Sequence, residues 1–357
     1  MHHALRIAAR GLGAVWPNPA VGCVIVKDGL VVGRGWTQPG GRPHAESRAL
    51  DQAGPLAQGA TAYISLEPCA HHGQTPHCAE ALIAAGIFRV VSAVADPDPR
   101  VAGRGHAMLR AAGTAVTEDL MKTEAAALNA GFFKRVLHNT PLVTLKLATS
   151  LDGRIATGAG VSRWITGPEA RRATHAMRAR HDAVMVGIGT ALADDPELTV
   201  RGLGALRQPV RIVLDTHLRL PPDSKLARSA QATPVWVCHG PNPAQKPAEA
   251  LQDLGVTLIQ CTGTAGHLNM QDALHNLASR GLTRIFCEGG AGIAAALLQG
   301  HHVDDLAILT AGRVFGASGT AAIGPLPAAA TLPDLADFTL AQTSRHGDDL
   351  LHHWQRR

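Results

Sequence analysis

Short apolar runs alternate with amphipathic segments along the chain, and this alternation predicts an α/β protein. Residues 21–26 and 30–35 are two β-rich runs on either side of Asp28-Gly29, which is a strong hairpin signal. Segments with helical spacing, such as Ala45–Ala53, separate the runs that follow. The first part of the chain therefore predicts the order α-β-β-α-β-α-β-α-β, which is typical of one sheet with helices on both faces.

A change of pattern near residues 134–141 predicts a boundary between two domains. A helical stretch ends there in Asn139-Thr140-Pro141, and a new apolar run follows. The length of 357 residues also suggests two domains, which we place at residues 1–138 and 139–357. In the second domain we expect strands at 142–148, 183–186, 210–214, 235–238, 256–260, 284–287, 306–309, 338–344 and 350–354, helices at 169–180, 270–280 and 293–299, and a surface loop at 241–247.

Composition and charge narrow the class of protein. Hydrophobic residues make up 46% of the chain and aromatic residues only 3%, so aliphatic side chains must fill the cores. The net charge of +5 would suit nucleic acid or small phosphorylated substrates, but the basic residues form no dense block. No apolar run reaches the roughly 18 residues of a membrane span, and the N-terminal segment indicates an amphipathic helix rather than a signal peptide. We therefore expect a cytoplasmic protein with neither a nucleic-acid nor a membrane partner.

The six cysteines indicate metal or core roles, because a chain of this length does not depend on a disulfide framework. Four of them lie in or beside apolar runs, where cysteine acts as a small hydrophobic residue: Cys23, Cys238, Cys261 and Cys287. The other two belong to a different pattern.

The strongest chemical signal combines His44-Ala45-Glu46, at the start of a predicted helix, with Cys69 and Cys78, between a strand and a helix. One imidazole and two thiolates supply three ligands for a tetrahedral ion and leave one position open, as in a catalytic site. Soft sulfur favours zinc. Such a site activates water for attack on the amino-bearing carbon of a pyrimidine, with Glu46 carrying the protons. Because residues i and i+2 do not share a helix face, we expect His44 at or just before the first turn.

A second signal lies in the other domain, where a predicted strand at 284–287 is followed by Glu288 and then by Gly290-x-Gly292-x-x-Ala295. Small residues at a helix N-terminus let the backbone approach a phosphate, and this spacing satisfies the short dinucleotide fingerprint. The pattern alone is weak, because tight helix–strand packing accounts for such glycines equally well. Ligands bind at strand ends of this kind in open α/β sheets.

Three longer motifs identify a family. Residues 68–78 carry P-C-x-H-x-G-x-T-P-x-C, residues 17–22 carry P-N-P-x-V-G, and residues 96–105 contain D-P-x-P followed by G-x-G. With the segments 145–154, 162–166 and 187–201, these motifs make nearly the whole chain resemble the bifunctional deaminase/reductases of riboflavin biosynthesis. Two positions depart from the family pattern: Asp98 replaces an asparagine, and Gln74 replaces a basic residue.

The resemblance implies a cytidine-deaminase-like α/β/α sandwich followed by a dihydrofolate-reductase-like α/β domain. It implies zinc-dependent deamination of 2,5-diamino-6-(5-phosphoribosylamino)pyrimidin-4-one, then NADPH-dependent reduction of the ribosyl group, with one zinc ion per chain and a homo-oligomer. Implied deaminase substrate contacts are Asn18, His71, Thr75, Asp96 and Asp98. Implied NADPH contacts are Ala148, Trp164, Thr190, Asp194, Thr216, Gly290, Ala291, Gly292, Ile293, Ala294, Ala295 and Ala296. Implied reductase substrate contacts are Lys146, Asp152, Ser162, Arg178, Leu198, Arg201 and Glu288.

Other interpretations of the same residues stay open at this point. The zinc site could be purely structural, with a fourth ligand from His71, His72 or His77, although His72 and His77 by themselves are expected to be exposed. The first domain could also act on nucleic acid or free nucleosides, with a second domain that does not reduce. A strand-binding groove would need basic or aromatic residues, and the low aromatic content argues against it.

Overall fold

The computed structural model describes residues 1–70, 77–99, 102–204, 207–264, 266–327 and 337–357. The chain divides into two compact units, Met1–Asn139 and Thr140–Arg357. The assignment of one activity to each unit stays a prediction at this stage.

The first unit contains a mixed five-stranded sheet with the order β2-β1-β3-β4-β5 among the described residues. Its elements are α1 (His2–Ala8), β1 (Gly22–Lys27), β2 (Leu30–Trp36), α2 (Ala45–Ala53), β3 (Thr61–Ile64), α3 (Cys78–Ala84), β4 (Arg89–Ser92), α4 (Arg104–Ala111), β5 (Ala115–Thr117), α5 (Lys122–Leu128) and α6 (Ala130–His138). Short 3-10 helices lie at Ala9–Gly11, Pro39–Gly41 and Gly54–Ala57.

The predicted hairpin joins β1 and β2. Lys27 pairs with Leu30, which leaves Asp28 and Gly29 as the two-residue turn. Their φ angles are 49° and 77°, as a type I′ turn requires.

The sheet places the ends of two strands side by side. Strands β3 and β4 are parallel, so the segments that follow them leave the sheet at the same edge. The segment after β3 carries Cys69, and the segment after β4 carries Asp96. The core beneath them is aliphatic: Ile25 and Ile64 from the sheet, with Leu82 and Leu109 from α3 and α4, are fully buried. This packing fixes the strand ends on which the first candidate site is built.

The second unit is built on a nine-stranded sheet with the order β11-β10-β9-β8-β14-β6-β15-β18-β17 among the described residues. All neighbours are parallel from β11 to β15, and β18 and β17 add antiparallel strands at one edge. The strands are β6 (Leu142–Thr149), β7 (Arg154–Ala156), β8 (Ala183–Gly187), β9 (Val210–Leu214), β10 (Val235–His239), β11 (Thr257–Gln260), β12 (Gly263–Thr264), β13 (His267–Leu268), β14 (Arg284–Cys287), β15 (Asp305–Thr310), β16 (Thr320–Ala321), β17 (Phe338–His346) and β18 (Asp349–Arg356). The helices are α7 (Pro168–Arg178), α8 (Ile188–Asp194), α9 (Lys225–Arg228), α10 (Gln245–Asp253), α11 (Met270–Ser279) and α12 (Ala291–Gln299).

The predicted surface loop at 241–247 is wrong in its second half. Helix α10 begins at Gln245, so Pro247 lies in its first turn. Proline is tolerated there because the first N–H groups of a helix have no partner within the helix. The sequence analysis took proline as a sign of irregular structure, whereas Pro247 lies within the first turn of a helix.

A buried polar cluster lies where β8 begins. His181 is 8% exposed; its Nδ1 lies 2.7 Å from the carbonyl oxygen of Met177, and its Nε2 lies 2.9 Å from Oγ1 of Thr144. Burial lowers the pKa of His181 to about 4. The adjacent Asp182 accepts hydrogen bonds from the N–H and the hydroxyl of Thr283, at 2.6 and 2.7 Å. These contacts join α7, β6, β8 and β14.

Within the described ranges, none of the helices has both the length and the apolar character needed to cross a membrane. Cysteines at the four apolar positions are buried and free, as their surroundings predicted: Cys23, Cys238, Cys261 and Cys287.

Candidate active sites

One imidazole and two thiols come together in the first unit. His44 Nδ1 lies 3.2 Å from Cys78 Sγ and 3.7 Å from Cys69 Sγ. The candidate ligand atoms of the three residues all lie within 4.8 Å of one another. In the part of the chain that the structure describes, this is the one group of three or more such residues close enough to share an ion. The arrangement fits a tetrahedral metal with three protein ligands.

Each ligand occupies the end of a regular element. His44 is the extended residue immediately before α2, where the spacing argument placed it. Cys78 is the first residue of α3, and Cys69 lies on the segment after β3. The backbone N–H of Cys78 also points at Cys69 Sγ, at 3.4 Å. Helix N-termini favour negative charge, which suits a thiolate at this position.

His77 contradicts the expectation that it is exposed. It is 2% exposed, and its Nε2 lies 3.8 Å from the carboxylate of Glu80. It does not join the three-residue group, so it does not supply the fourth ligand that a structural site would need. His71 and His72 lie outside the described residues.

The charges at this centre differ from those of free side chains. The hydrogen bond from the Cys78 thiol lowers the pKa of Cys69. In the same pair the pKa of Cys78 is raised. Glu46, in the first turn of α2, is 3% exposed, and burial raises its pKa. The carboxyl group of Glu46 is thus close to both thiols, with a hydrogen bond to Cys78 and an electrostatic interaction with Cys69.

A cavity of about 220 Å³ opens beside these residues. Asn18, Asp96 and Asp98 line it together with His44, Glu46 and Cys69. Burial raises the pKa of Asp96 to about 6, and Asp96 Oδ1 accepts the N–H of Asp98 at 2.8 Å. The predicted contacts His71 and Thr75 lie outside the described residues, so the structure says nothing of them.

Three charged residues of this cavity were not singled out in the sequence. Arg42 and Arg135 bring positive charge to its wall. Glu67 also lines it, and both of its carboxylate oxygens accept backbone N–H groups from residues 96–106. An acidic residue at the end of an apolar strand, directly before Pro-Cys, was the signal that could have identified Glu67.

The second unit contains a larger cavity of about 650 Å³. Most of the predicted reductase residues line it: Lys146, Ala148, Ser162, Trp164, Arg178, Thr190, Asp194, Leu198, Arg201, Glu288 and Gly290. Sequence reasoning missed four basic residues in the same wall: Arg163, Arg171, His175 and Lys225. They come from several separate segments, so no local motif connects them.

Asp152 does not belong to the cavity wall that the described residues form. Its carboxylate accepts hydrogen bonds from the Ser150 hydroxyl at 2.6 Å and from the N–H groups of Phe315 and Gly316 at 3.1 and 2.7 Å. The Ser150 hydrogen bond is the largest cause of its pKa of about 2. The carboxylate of Asp152 therefore holds a loop in place, and its contact with the substrate stays a prediction.

Thr216 and the 291–296 segment also lie outside that wall. The carbonyl oxygen of Thr216 accepts the N–H of Gly240 at 3.0 Å. Ala294 and Ala295 are buried in the core. Their contacts with a cofactor stay predictions.

Arg178 and Glu288 form a bidentate ion pair inside the larger cavity. Nε and Nη2 of Arg178 donate to the carboxylate at 2.5 and 3.0 Å, and Nη1 donates to the carbonyl oxygen of Thr199 at 2.8 Å. Burial opposes ionisation of Glu288, but the Arg178 charge holds its pKa below the usual range. Burial lowers the pKa of the neighbouring Lys146. Arg178 is one of the predicted substrate contacts, and its donors are engaged by the protein itself.

Two other predicted contacts, Arg201 and Trp164, are exposed to solvent. Arg201 pairs with Glu197 at the surface, and Trp164 is 63% exposed, with the guanidinium of Arg171 4.7 Å from the centre of its ring. Such a stacked cation holds an indole by electrostatic attraction to its face.

The glycine-rich turn fits the approach of a phosphate. Gly290 is the residue before α12, a helix of nine residues. A Cβ added at Gly292 would meet no atom within 4 Å, so packing does not require glycine there. Gly292 is exposed, whereas a Cβ added at Gly187 of β8 would lie 2.7 Å from Ile293 of α12, so the role of this turn in binding a phosphate stays a prediction.

Comparison with known proteins matches a family profile to each of the two parts of the chain. The family profile described as "RibD C-terminal domain" matches residues 141–351, and that described as "Cytidine and deoxycytidylate deaminase zinc-binding region" matches residues 1–94. Riboflavin biosynthesis protein RibD of Escherichia coli K12 is 41% identical over 99% of this chain and 97% of that protein.

Solved structures give the same result. RibD of Acinetobacter baumannii superposes with a TM-score of 0.89 at 37% identity, over 100% of this chain and 97% of that one. A deaminase/reductase of Thermotoga maritima, described as acting on diaminohydroxyphosphoribosylaminopyrimidine and 5-amino-6-(5-phosphoribosylamino)uracil, gives a TM-score of 0.87 at 31% identity, again over 100% and 97%. The cytidine-deaminase-like and dihydrofolate-reductase-like folds expected from the sequence are thereby confirmed. The chain belongs to the RibD family of bifunctional enzymes of riboflavin biosynthesis, which join a zinc-binding deaminase domain to a reductase domain.

Proposed function

We propose that residues 1–138 deaminate 2,5-diamino-6-(5-phosphoribosylamino)pyrimidin-4-one and that residues 139–357 reduce the product, 5-amino-6-(5-phosphoribosylamino)uracil, at its ribosyl group. The observation that carries the proposal is the grouping of His44, Cys69 and Cys78 within 4.8 Å beside the buried Glu46. Three ligands and an adjacent carboxyl group are what hydrolytic deamination of a pyrimidine needs.

His44, Cys69 and Cys78 hold one zinc ion per chain. When bound, zinc supplies the Lewis acidity that makes water nucleophilic at neutral pH. The closeness of the three ligand atoms, all within 4.8 Å of one another, supports this ligand set, and each cysteine would bind the ion as a thiolate.

Glu46 moves the protons of the first reaction. Hydrolysis transfers a proton from the attacking water to the amine that leaves as ammonia, and one carboxyl group can accept it and then donate it. Glu46 has the burial that such a group requires, and it lies two residues from His44 on the turn that begins α2. Its protonation is therefore set by the cavity rather than by bulk water.

The rest of the cavity binds and orients the substrate. Asn18, Asp96 and Asp98 offer hydrogen-bonding groups to the ring and the ribose. Arg42 and Arg135 supply the positive charge that the phosphate needs. This charge matters because Gln74 is neutral where the family pattern has a basic residue.

In the second unit, NADPH supplies the hydride when it is bound. The turn at Gly290 and the N-terminus of α12 hold its phosphates, and Trp164, Thr190 and Asp194 line the cavity for the rest of the cofactor. Ser162 and Arg201 bind the substrate, whereas the Arg178–Glu288 pair keeps Lys146 and the cavity wall in a fixed arrangement. We further propose a cytoplasmic homo-oligomer, on the family resemblance alone.

The test supplies the diaminopyrimidine phosphate and NADPH to the full chain and follows ammonia and NADPH together. Ammonia release should precede NADPH oxidation and should occur without NADPH. NADPH oxidation with no ammonia would reverse the proposed order, and absence of ammonia from zinc-loaded protein would refute the deaminase assignment. Full-length similarity to RibD proteins favours this function over a nucleic-acid deaminase.

A further inference from the structure

Glu67 is a buried carboxylate that the chemistry above does not use. It lies two residues before Cys69, it is 3% exposed, and its side chain accepts hydrogen bonds from four backbone N–H groups. Oε2 accepts from Asp96 at 3.3 Å and from Gly103 at 2.9 Å. Oε1 accepts from Gly105 at 3.0 Å and from His106 at 3.4 Å. All four donors belong to one stretch of chain, residues 96–106.

Three of these donors form the start of α4. Gly103 is the N-cap residue of that helix, and glycine has no side chain to accept the first N–H groups. Glu67 accepts them from a distant part of the sequence, and its negative charge is favourable at a helix N-terminus. The carboxylate therefore fixes where α4 begins.

Residues 96–106 also pack closely against the segment that carries Cys69. A Cβ added at Gly105 would lie 1.9 Å from the carbonyl oxygen of Pro68 and 3.3 Å from Glu67 Oε1. Only glycine fits at this distance. The main chain of Glu67 adds a further link, because its N–H donates to the carbonyl oxygen of Val94 at 2.9 Å.

The fourth donor connects Glu67 to the cavity. The N–H of Asp96 points to Glu67, and the carboxylate of Asp96 in turn accepts the N–H of Asp98. Asp96 and Asp98 both line the cavity beside Cys69. One side chain thus joins the segment of a candidate metal ligand to the segment of two candidate substrate contacts.

We propose that Glu67 is a positioning residue, which holds Asp96 and Asp98 at a fixed distance from Cys69 and so sets the affinity of the first unit for its pyrimidine. This inference rests on the proposed function of that unit. A carboxylate is needed because both oxygens receive two N–H groups each. A glutamine has one accepting oxygen, and its NH₂ group would face two donors.

The test compares Glu67→Gln with the wild-type full chain, loaded with zinc, in steady-state deamination. We expect KM for the diaminopyrimidine phosphate to rise by about tenfold or more, because two hydrogen bonds to a charged acceptor are lost. The kcat should change by less than about threefold, since Glu46 and the zinc ligands are untouched. Zinc content and reduction of the pre-deaminated substrate should equal those of the wild type.

Glu118→Gln is the matched control. Glu118 Oε2 lies 3.1 Å from His106 Nδ1, on the same helix that Glu67 caps, and its other close partner is Arg110 rather than Asp96. Its KM should stay at the wild-type value. A second variant, Gly105→Ala, keeps the carboxylate and pushes α4 away from Pro68, so it should raise KM in the same direction even if Glu67→Gln does not fold.

Two results would overturn the inference while leaving the proposed function intact: a folded Glu67→Gln protein with unchanged KM, or an equal rise in Glu118→Gln. If Glu67→Gln does not fold, an unchanged KM in Gly105→Ala overturns it. If the wild-type chain itself releases no ammonia, the proposed function fails and the role of Glu67 in it fails as well.

Discussion

His181 gives the second unit a specific sensitivity to acid. Its ring is buried, with Nδ1 next to the carbonyl oxygen of Met177 and Nε2 next to the hydroxyl of Thr144. The carbonyl can only accept, so Nδ1 carries the proton and Nε2 accepts from the hydroxyl. A second proton on the ring would displace the Thr144 hydrogen bond and place a charge in the core.

The size of the effect follows from the two pKa values. The folded protein holds His181 at a pKa of about 4, against 6.5 for the ordinary side chain. Well above pH 6.5 the ring is neutral in both the folded and the unfolded state, so His181 makes no contribution to the pH dependence of stability. As pH falls from 6.5 to 4, the unfolded chain binds a proton that the folded chain does not, so stability decreases. The total loss is about 3 kcal/mol, at about 1.4 kcal/mol for each pH unit.

The assay measures the free energy of unfolding of the second unit by urea denaturation of the full chain at pH 7.0 and pH 4.5. His181→Asn removes the titration and keeps an amide donor towards Met177. His267→Asn removes an exposed histidine of the same unit and serves as control. The wild type and the control should lose about 2 to 3 kcal/mol more than His181→Asn between the two pH values. Equal losses in all three proteins would refute this account of His181.

Three further predictions concern residues of the first candidate site. Glu46→Ala should lower ammonia release by about a hundredfold to ten-thousandfold, because proton transfer is lost, and should leave reduction of the pre-deaminated substrate unchanged; loss of both activities would argue against separate sites. Cys78→Ala should lose bound zinc, measured by atomic absorption, because only two ligands stay in place; full zinc content would refute the ligand assignment. Arg135→Ala should raise KM for the phosphorylated substrate about tenfold or more, through loss of a charged contact, but should have little effect on its dephosphorylated analogue; an equal rise for both would exclude a role in binding phosphate.

The sequence predicted the site residues that local spacing or a known motif marks. His44, Cys69 and Cys78 were identified because a helix start and a strand–helix connection hold them, and the structure brings these three together. Glu67 and His181 were missed because their partners lie far away along the chain. For Glu67, the donors begin 29 residues later, and no period or motif marks the pairing.

Other contacts were missed because a sequence does not show tertiary partners. Asp152 was predicted as a substrate contact on the family resemblance, and nothing in the sequence indicated that backbone N–H groups of a distant loop also donate to its carboxylate. His77 was expected in solvent because histidine is polar, whereas the start of α3 buries it. In each case the deciding contact is tertiary, which a single sequence does not display.

The two cavities differ about threefold in size, 220 Å³ against 650 Å³. The smaller one is below the roughly 300 to 1,000 Å³ that encloses a whole ligand of moderate size. It has space for a flat heterocycle, and the sugar and its anionic tail would extend past Arg42 and Arg135 in its wall towards the surface. The larger cavity is big enough to bring two molecules together. Under the proposed function, the smaller cavity would enclose one pyrimidine ring, whereas the larger cavity would hold a substrate and a cofactor side by side.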